Sequence, residues 1–486
     1  MNKKHYTSYV TLLQELILFL LLSLDSVFGK NHPQKRKGLL LFLGEIFCIC
    51  LHRISQIILS LGKGEEDWKK WYRYFQLGSF QEEAGGKILL KEIIRSQKDK
   101  RRFFVVVDGV NIVRSSSRFP GVFLQPAPPT VAWKKGFWYV QRFFHGACLT
   151  ERDEKGYREC IPLRFLTSFS EKSKNLPPDE KPRKLHERAL DFLSWLRKEL
   201  IRFGYGKTLV VGLGDGGFDQ NIIWKGLPEG VVWVVRTKRN RALYYLPEEE
   251  KGEKGRGRPK LYGSRAPKPY EYTRKRKDYQ YWQGKIRGKV RTLKYQVRGP
   301  FLLESVPNQP VYLIIIGGSK RIAGNKEKYR KPIYLLVNGV KKGKKWDLPL
   351  DIEELLESQW HRWEIEVCHR EMKSGFGLGD KQCWNPRSSI QTVQWSSWVY
   401  GVLRWIGYKN REHLLEVPMI GKWYRKRKRR WSIQQYLQCY RIAFWHFGEE
   451  LWKEYFPQDM GCRDDRGKNH GILAKIWKSI MGACRI

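Results

Sequence analysis

Five strand-like runs in the first half of the chain constrain its fold most. They cover residues 103–110, 137–149, 157–166, 208–213 and 231–235. Short apolar runs of this kind, separated by polar turns, predict buried strands. Between the third and fourth runs, apolar residues recur at positions 185, 189, 193, 196 and 200, which is the spacing of a helix face, and Gly204 provides a helix stop. The predicted order is three strands, a helix and two more strands.

That order is typical of an RNase H-like fold. We therefore predict an α/β protein with an RNase H-like mixed-sheet core, interrupted by a β-rich insertion and flanked by helical regions. The predicted divisions are an N-terminal helical domain that either binds DNA or caps the core (1–100), the first part of the core (101–235), a basic β-rich insertion domain (236–350), the last part of the core (351–415) and a basic C-terminal helical region (416–486).

The charge of the chain indicates its partner. The sequence holds 92 Lys and Arg against 49 Asp and Glu, a net charge of +43. Such an excess repels itself in a compact state unless a polyanion is the normal partner. Nucleic acid fits best because phosphate neutralisation dominates its binding, and an anionic membrane surface is the weaker alternative. Residues 236–298 hold 21 Lys or Arg against six acids, so we expect this block to be a separate folding unit that grips DNA.

The N-terminus carries an apolar run over residues 16–24 that resembles a signal peptide. Glu15 lies directly before it and Asp25 follows it, and the run is too short to span a membrane. A buried amphipathic helix is therefore favoured. The nine cysteines form no CxxC pair, which favours reduced thiols. We expect a cytoplasmic, nucleoid-associated protein with no membrane partner.

Three acids stand where an RNase H-like fold brings side chains together. Asp108 ends the first strand, Asp215 follows the fourth strand in a Gly-rich stretch, and Glu366 lies on a late helix. Each has an ordinary interpretation, as a turn residue, a loop residue or part of a salt-bridged helix face. Asp219 competes with Asp215 for the second position. Three carboxylates placed together can hold two Mg²⁺ ions for phosphoryl transfer.

The helix of Glu366 is predicted to run from residue 351 to about 374. Along it, one face is basic around the single carboxylate and carries Arg362, Glu366, His369, Arg370 and Lys373. A carboxylate inside a basic stripe suits metal binding beside phosphates. A solvated salt-bridge face is the alternative, which Glu364 and Glu371 on the other faces also support.

These residues resemble the DDE transposases of bacterial insertion sequences, in particular the insertion-sequence-4 type. The third motif of that family is Tyr-x2-Arg-x3-Glu-x6-Lys. Arg362, Glu366 and Lys373 fit its spacing, while Gln359 stands where Tyr is expected. The stretch from Asp215 to Phe218 resembles the Asp-x-Gly-Tyr motif, with Phe for Tyr. Residues 108–110 resemble the first motif, with Val where Thr is often found.

The resemblance implies a transposase that cuts transposon ends and joins them to target DNA, in a cut-and-paste reaction through a DNA hairpin. It implies catalytic and metal-binding roles for Asp108, Asp215 and Glu366, with two Mg²⁺ ions that Mn²⁺ can replace. The expected partner is double-stranded DNA, bound by a homodimer in the synaptic complex. The residues expected to contact DNA are Arg362, Arg370, Lys373 and Trp282.

Two alternatives remain open at the level of the sequence. A flipped base could be held by Trp346 or Trp360 instead of Trp282, and any of these rings could simply pack against a sheet. The whole protein could be a catalytically inactive DNA-binding protein derived from such an element. Intact Asp108, Asp215 and Glu366 favour the enzyme.

Overall fold

In this computed structural model, the structure describes residues 3–127, 136–154, 156–173, 175–247, 260–323, 326–414 and 430–455, together with residues 476, 477 and 479. Residues 248–259 of the predicted basic block 236–298 and most of the predicted C-terminal region at 416–486 lie outside these ranges, so the predictions for them stay as they are. Elements are numbered below in chain order.

The N-terminal region is helical, as its apolar stripes predict. It contains α1 (Lys3–Val27), α2 (His32–Phe47), α3 (Ile54–Ser60), α4 (Lys69–Gln76) and α5 (Glu82–Ser96). The side chain of Asn31 accepts a hydrogen bond from the Gln34 backbone and starts α2. On α1 the stripe through Leu12, Leu16 and Leu20 is fully buried. Thr7–Val27 is also long and apolar enough to cross a membrane, by length and composition alone, and just under half of it is buried inside the protein.

The core sheet contains the five predicted strands and one strand, the second in chain order, that was not predicted. Its elements are β1 (Arg102–Arg114), β2 (Val122–Pro126), β3 (Phe137–Leu149), β4 (Cys160–Thr167), α6 (Leu185–Arg202), β5 (Leu209–Gly214), α7 (Asn221–Gly226) and β6 (Val231–Arg236). β2 and β4 pair with β3, β3 with β1, β1 with β5 and β5 with β6. β1, β5 and β6 are parallel, whereas β3 is antiparallel to β1, β2 and β4. The helices α6 and α7 supply the crossovers that parallel strands need, and the predicted mixed α/β fold is confirmed.

The inserted segment continues this sheet. It contains β7 (Tyr244–Tyr245), α8 (Pro269–Tyr272), β8 (Gln280–Ile286), β9 (Lys289–Leu303), β10 (Val306–Ile316), β11 (Ser319–Ala323), β12 (Lys326–Arg330), β13 (Ile333–Asn338), β14 (Val340–Lys342) and β15 (Lys345–Asp347). β13 pairs antiparallel with β6, and β10, β9 and β7 follow in order. The sheet therefore runs across the boundary predicted after residue 235, and the division into domains stays a prediction.

Helices return after the insertion: α9 (Ile352–His361), α10 (Glu364–Gly375), α11 (Pro386–Asn410) and α12 (Ile433–Tyr455). The single helix predicted from 351 to about 374 is wrong in one respect, because the chain breaks at Arg362 and Trp363. At the break, the backbone N–H groups of residues 363, 365 and 366 donate to carbonyls three residues back. These tighter turns interrupt the regular α-helical ladder and place Arg362 at the junction of two helices.

Candidate active site

The register of the sheet places three polar residues side by side. Val106 of β1 pairs with Leu213 of β5, and Leu213 pairs with Val234 of β6. Two residues further along stand Asp108, Asp215, which directly follows β5, and Arg236, the last residue of β6. Asp108 does not end its strand as predicted, but lies in the middle of β1, just beyond the pairing of β1 with β5. Adjacent strands are about 4.8 Å apart, and residues in register point to the same face. We call these three residues the strand-end row. Sequence reasoning identified its two acids and missed Arg236.

The other two predicted acids act electrostatically on Asp108. Asp108 is largely buried, and burial raises the pKa of its carboxyl to about 6. A hydrogen bond from the Gly109 backbone, 2.8 Å long, opposes this rise in pKa. The charges of Asp215 and Glu366 raise the pKa further, and Arg362 lowers it. The carboxylates are therefore close enough to repel one another, which favours binding of a cation.

The competition between Asp215 and Asp219 has a clear structural basis. Asp215 is half-buried, and one of its oxygens accepts a 2.8 Å hydrogen bond from the Gly217 backbone. Asp219 is buried and accepts hydrogen bonds from Trp224 Nε1 at 3.0 Å and Thr237 Oγ1 at 2.6 Å. Its carboxylate also lies 3.4 Å from Nε of Arg241. Because Asp219 is engaged by three groups, Asp215 is the acid that is available to a ligand.

Glu366 lies on the first turn of α10 beside a group of arginines. Its Oε1 is 2.8 Å from a terminal nitrogen of Arg362, and its side chain is 33% exposed. Arg236 Nε donates a 2.6 Å hydrogen bond to Gln359, the residue that stands where the family motif has Tyr. Burial lowers the pKa of Arg236, and the nearby charges of Arg362 and Arg330 lower it further. Cations and carboxylates thus meet at one end of the sheet.

The remaining residues of the predicted basic stripe divide into two groups. Lys373 reaches back to β1, where its Nζ donates to the Asn111 carbonyl at 3.0 Å. Burial lowers the pKa of Lys373, although the charge of Asp108 raises it. Arg370 is exposed to solvent. Lys373 therefore lies at the edge of the site, and Arg370 lies on the outer surface of the same helix.

A buried pair of histidines lies under Asp108. His369 Nδ1 is 3.9 Å from a carboxylate oxygen of Asp108, and its Nε2 is 2.8 Å from Nδ1 of His145. Burial lowers the pKa of His145 to about 3, and burial also lowers the pKa of His369 well below its usual range. Both rings are neutral at pH 7. His145 stands opposite Asp108 on β3, and no periodicity in the sequence distinguishes it from its apolar neighbours.

The three tryptophans considered for base contacts have different settings. Trp360 is buried, with the guanidinium groups of Arg330 and Arg291 over its ring at 5.1 Å and 5.9 Å from the centroid. Trp282 is half-buried on β8, and Trp346 is half-buried on β15. Since each ring is partly or fully packed, a role in holding a base stays a prediction.

Whether a metal ion fits this site depends on the carboxylates of Asp108, Asp215 and Glu366. Across the described ranges, no three His, Cys, Asp or Glu side chains are arranged closely enough to hold a metal ion. Two of the predicted ligands are turned to other partners, Glu366 to Arg362 and Asp215 to the Gly217 backbone. The donor chemistry nevertheless fits, because carboxylate oxygens are the ligands that Mg²⁺ prefers, and the pKa of Asp108 stays raised although the charge of Arg362 lowers it.

The fold and the site define a mixed α/β protein in which Asp108 of β1 and Asp215, directly after β5, lie at neighbouring positions. No family model and no curated protein matches the chain. Among solved structures, the cryo-EM structure of a piggyBac transposase synaptic complex with hairpin DNA is similar, with a TM-score of 0.35 and 9% sequence identity. The match covers 89% of this chain and 77% of that chain. A structural similarity this low does not indicate a function. The resemblance to the insertion-sequence-4 type therefore stays a prediction from its motifs.

Proposed function

We propose that this protein is a DDE-type DNA transposase that uses Asp108, Asp215 and Glu366 to cut transposon ends and join them to target DNA. The observation that carries the proposal is the strand-end row: Asp108 on β1 lies next to Asp215, which directly follows the adjacent parallel strand β5, and the charge of Glu366 acts on Asp108. Acids that repel one another at a partly open edge of a sheet are typical of a site for divalent cations.

In this proposal the three acids hold two Mg²⁺ ions, and Mn²⁺ can replace them. When bound, the metal supplies activation of a water or a 3′-hydroxyl and neutralisation of the leaving oxygen. The side chains must first be released from their present partners. Glu366 would exchange Arg362 for metal, and Arg362 would then be free to face a phosphate.

The arginines give this chain a means of binding the reacting phosphodiester. Three carboxylates and three guanidinium groups, those of Arg236, Arg330 and Arg362, act on one another at this end of the sheet. Their charges nearly balance. Divalent cations would leave an excess of positive charge, which the phosphate groups of DNA would offset. Lys373 and the exposed Arg370 lie on the same helix and would extend this contact along the strand.

The rest of the proposal follows the predicted resemblance. The partner is double-stranded DNA, which suits the net charge of +43. The active form is a homodimer that synapses two ends, and the reaction is cut-and-paste through a hairpin. The protein acts in the cytoplasm at the nucleoid, with no membrane partner.

The test is single-turnover cleavage of DNA that carries the sequences flanking the protein's own gene, with Mg²⁺ or Mn²⁺. Glu366→Gln keeps the shape of the side chain and removes its charge. We expect cleavage to fall by about 10³-fold, because metal coordination contributes several kcal/mol to the transition state and each 1.36 kcal/mol is tenfold. DNA affinity should stay nearly unchanged.

A matched control is Glu412→Gln, which removes the same charge from an exposed position and should cleave like the wild-type protein. Wild-type rates from Glu366→Gln would refute the assignment of the third acid. A wild-type protein that binds these DNA ends but never cuts them would instead favour the inactive DNA-binding alternative.

A further inference from the structure

A basic hairpin of the insertion makes direct contact with the helix that carries Glu366. This hairpin, here called the arm, comprises residues 280–294 of β8 and β9. Among the described strands, β8 pairs only with β9, and residues 289–294 of β9 pair only with β8. The arm holds five Lys or Arg and no acid. It is therefore a positively charged two-stranded ribbon that projects from the sheet.

The arm is exposed on one face along its length and buried at its tip, while Trp282 and Leu293 on its other face pack against the core. Tyr281 and Val290 are 72% and 68% exposed, whereas Ile286 at the turn is fully buried. The turn itself contains Arg287 and Gly288, both with positive φ. The Arg287 backbone N–H donates to the Gly156 carbonyl at 3.3 Å. The tip is thus docked on the protein, while one face of the shaft is open to solvent.

The surface under the tip is shaped for close approach. Gly156 lies in the turn between β3 and β4 with φ of +74°. A Cβ added at Gly156 would lie 2.4 Å from the carbonyl oxygen of Lys285. Only glycine fits both the backbone conformation and this space. The contact between the arm and the core is consequently a specific, closely packed one.

A single buried carboxylate joins the tip to the catalytic helix. Glu364 is the first residue of α10, and its side chain is completely buried. Its Oε1 lies 3.2 Å from Nε of Arg287, and its Oε2 pairs with Arg430. Arg430 also donates to the Arg158 carbonyl at 3.1 Å. Three segments far apart in the sequence therefore meet at a carboxylate two residues before Glu366.

The start of α10 depends on this contact. The helix begins at the break after α9, and its N-cap residue Trp363 makes no side-chain capping hydrogen bond. A carboxylate in the first turn is favoured by the helix dipole, and here two guanidinium groups hold it. Glu364 and Glu366 project from opposite sides of the same turn. Fixing one carboxylate therefore fixes the direction of the other.

We propose that Glu364 is a positioning residue for Glu366, and that the arm sets this position through Arg287. The inference rests on the proposed function, and it adds a route by which DNA bound along the exposed shaft acts on the third acid. In this proposal the positive charges of the shaft bind DNA, whereas Arg287 at the tip sets the position of Glu366. Because Lys285 on the shaft and Arg287 at the tip are different residues, substitutions can separate the two roles.

The experiment compares Arg287→Met with Lys285→Met in the full-length protein. Lys285 is exposed on the shaft and carries the same charge. Lys285→Met should weaken DNA binding and lower the slope of log K against log salt by about 0.9. Arg287→Met should leave the DNA affinity nearly unchanged, because Glu364 already neutralises that charge. Its cleavage rate at saturating DNA should fall by about 10²-fold, the effect of a small misplacement at a reacting centre.

A second readout is Mn²⁺ affinity without DNA, measured by electron paramagnetic resonance of the free ion. It should weaken by about tenfold in Arg287→Met and in Glu364→Gln, as is typical when a group supporting a metal ligand is lost. Arg287→Lys keeps the charge and should recover most of both readouts. Lys285→Met should bind Mn²⁺ like the wild-type protein.

The double variant Arg287→Met with Glu364→Gln separates positioning from folding. It removes both charges, so no uncompensated charge stays buried at this pair. We expect it to fold and to cleave no faster than either single variant. A folded double variant with wild-type cleavage and Mn²⁺ affinity would overturn the positioning role, as would identical profiles for Arg287→Met and Lys285→Met. A wild-type protein that neither binds Mn²⁺ nor cuts DNA would overturn the proposed function and this role with it.

Discussion

Two regions of the molecule bury acids in opposite ways. Between α2 and the start of α11, the fully buried Glu45 accepts from His52 Nδ1 at 2.7 Å, Lys381 Nζ at 2.8 Å and Trp395 Nε1 at 3.0 Å. Burial alone would raise the pKa of Glu45, but Lys381 and His52 hold it below its usual value. In the strand-end row, burial and two neighbouring acids raise the pKa of Asp108 to about 6. Neighbouring groups of the protein stabilise the charged form of Glu45, whereas burial and neighbouring acids disfavour the charged form of Asp108.

These two settings distinguish a buried acid with a structural role from one that is suited to bind a ligand. A buried carboxylate that has all its partners contributes to the folded state, and removing a partner costs stability. A carboxylate that lacks compensation costs stability as it stands, and a ligand recovers that cost. Asp219 belongs with Glu45, whereas Asp215 belongs with Asp108. The comparison therefore makes separate predictions for activity and for stability.

The largest effect should divide Asp215 from Asp219. Asp215→Asn should lower single-turnover cleavage by about 10³-fold, as expected for a lost metal ligand, and leave the free energy of unfolding within about 0.5 kcal/mol of the wild type. Asp219→Asn should instead lower that free energy by about 1–3 kcal/mol, because Arg241 and Thr237 lose their partner. Denaturant titrations and cleavage assays on both variants check this, and reversed results would move the second ligand to Asp219.

The next effect concerns stability alone. Lys381→Met leaves the buried Glu45 without its main cation, and we expect the free energy of unfolding to fall by about 3–5 kcal/mol. The matched control is Lys409→Met, which breaks the partly exposed pair with Glu15 and should cost less than about 1 kcal/mol. Equal losses in urea denaturation would show that the Glu45 region is no better compensated than the surface.

The pH dependence of stability should follow the lowered pKa of Glu45. Because the folded-state pKa lies below the ordinary carboxyl value, its stabilisation is present above that ordinary value and is lost as pH falls through the folded-state pKa. In Glu45→Gln, this part of the acid-induced loss should be absent. Unfolding free energies measured from pH 7 down to acid for both proteins give the difference curve, and parallel curves would contradict the assignment.

The smallest effects belong to the basic residues beside the row. Lys373→Ala and Arg362→Ala should each lower the slope of log K against log salt by about 0.9 on duplex DNA, the effect of one lost phosphate contact. Titrations of transposon-end DNA at several salt concentrations measure the slope. An unchanged slope for Arg362→Ala would mean that this guanidinium stays with Glu366 when DNA binds.

Much of the secondary structure could be predicted from the sequence because it depends on local patterns. The apolar runs and the helix face at residues 185–200 give strands and a crossover helix at nearly the observed bounds. The order of those elements then places Asp108 and Asp215 on neighbouring strands. Glu366 is predicted as the third acid from its spacing to Arg362 and Lys373, since this spacing places the three residues on one face of a helix.

The remainder depends on contacts that no local pattern encodes. The pairing of β13 with β6 joins segments about a hundred residues apart, so no local pattern indicates that the core sheet extends into the insertion. No Gly or Pro marks the break at Arg362 and Trp363. Glu364 reads as a solvated residue in the sequence, yet it is fully buried because Arg287 and Arg430 reach it. Arg236 could have been found, since it follows its strand as Asp215 does.

The packing of α1 against α12 has a consequence for the newly made chain. These two helices are in direct contact, although more than four hundred residues separate them in the sequence. During synthesis α1 emerges first, and the part of its surface that packs on α12 stays uncovered until α12 has left the ribosome. Contacts this distant in sequence slow folding and leave apolar surface open to aggregation and chaperones meanwhile. An interrupted product that lacks α12 should therefore be degraded faster than the full chain.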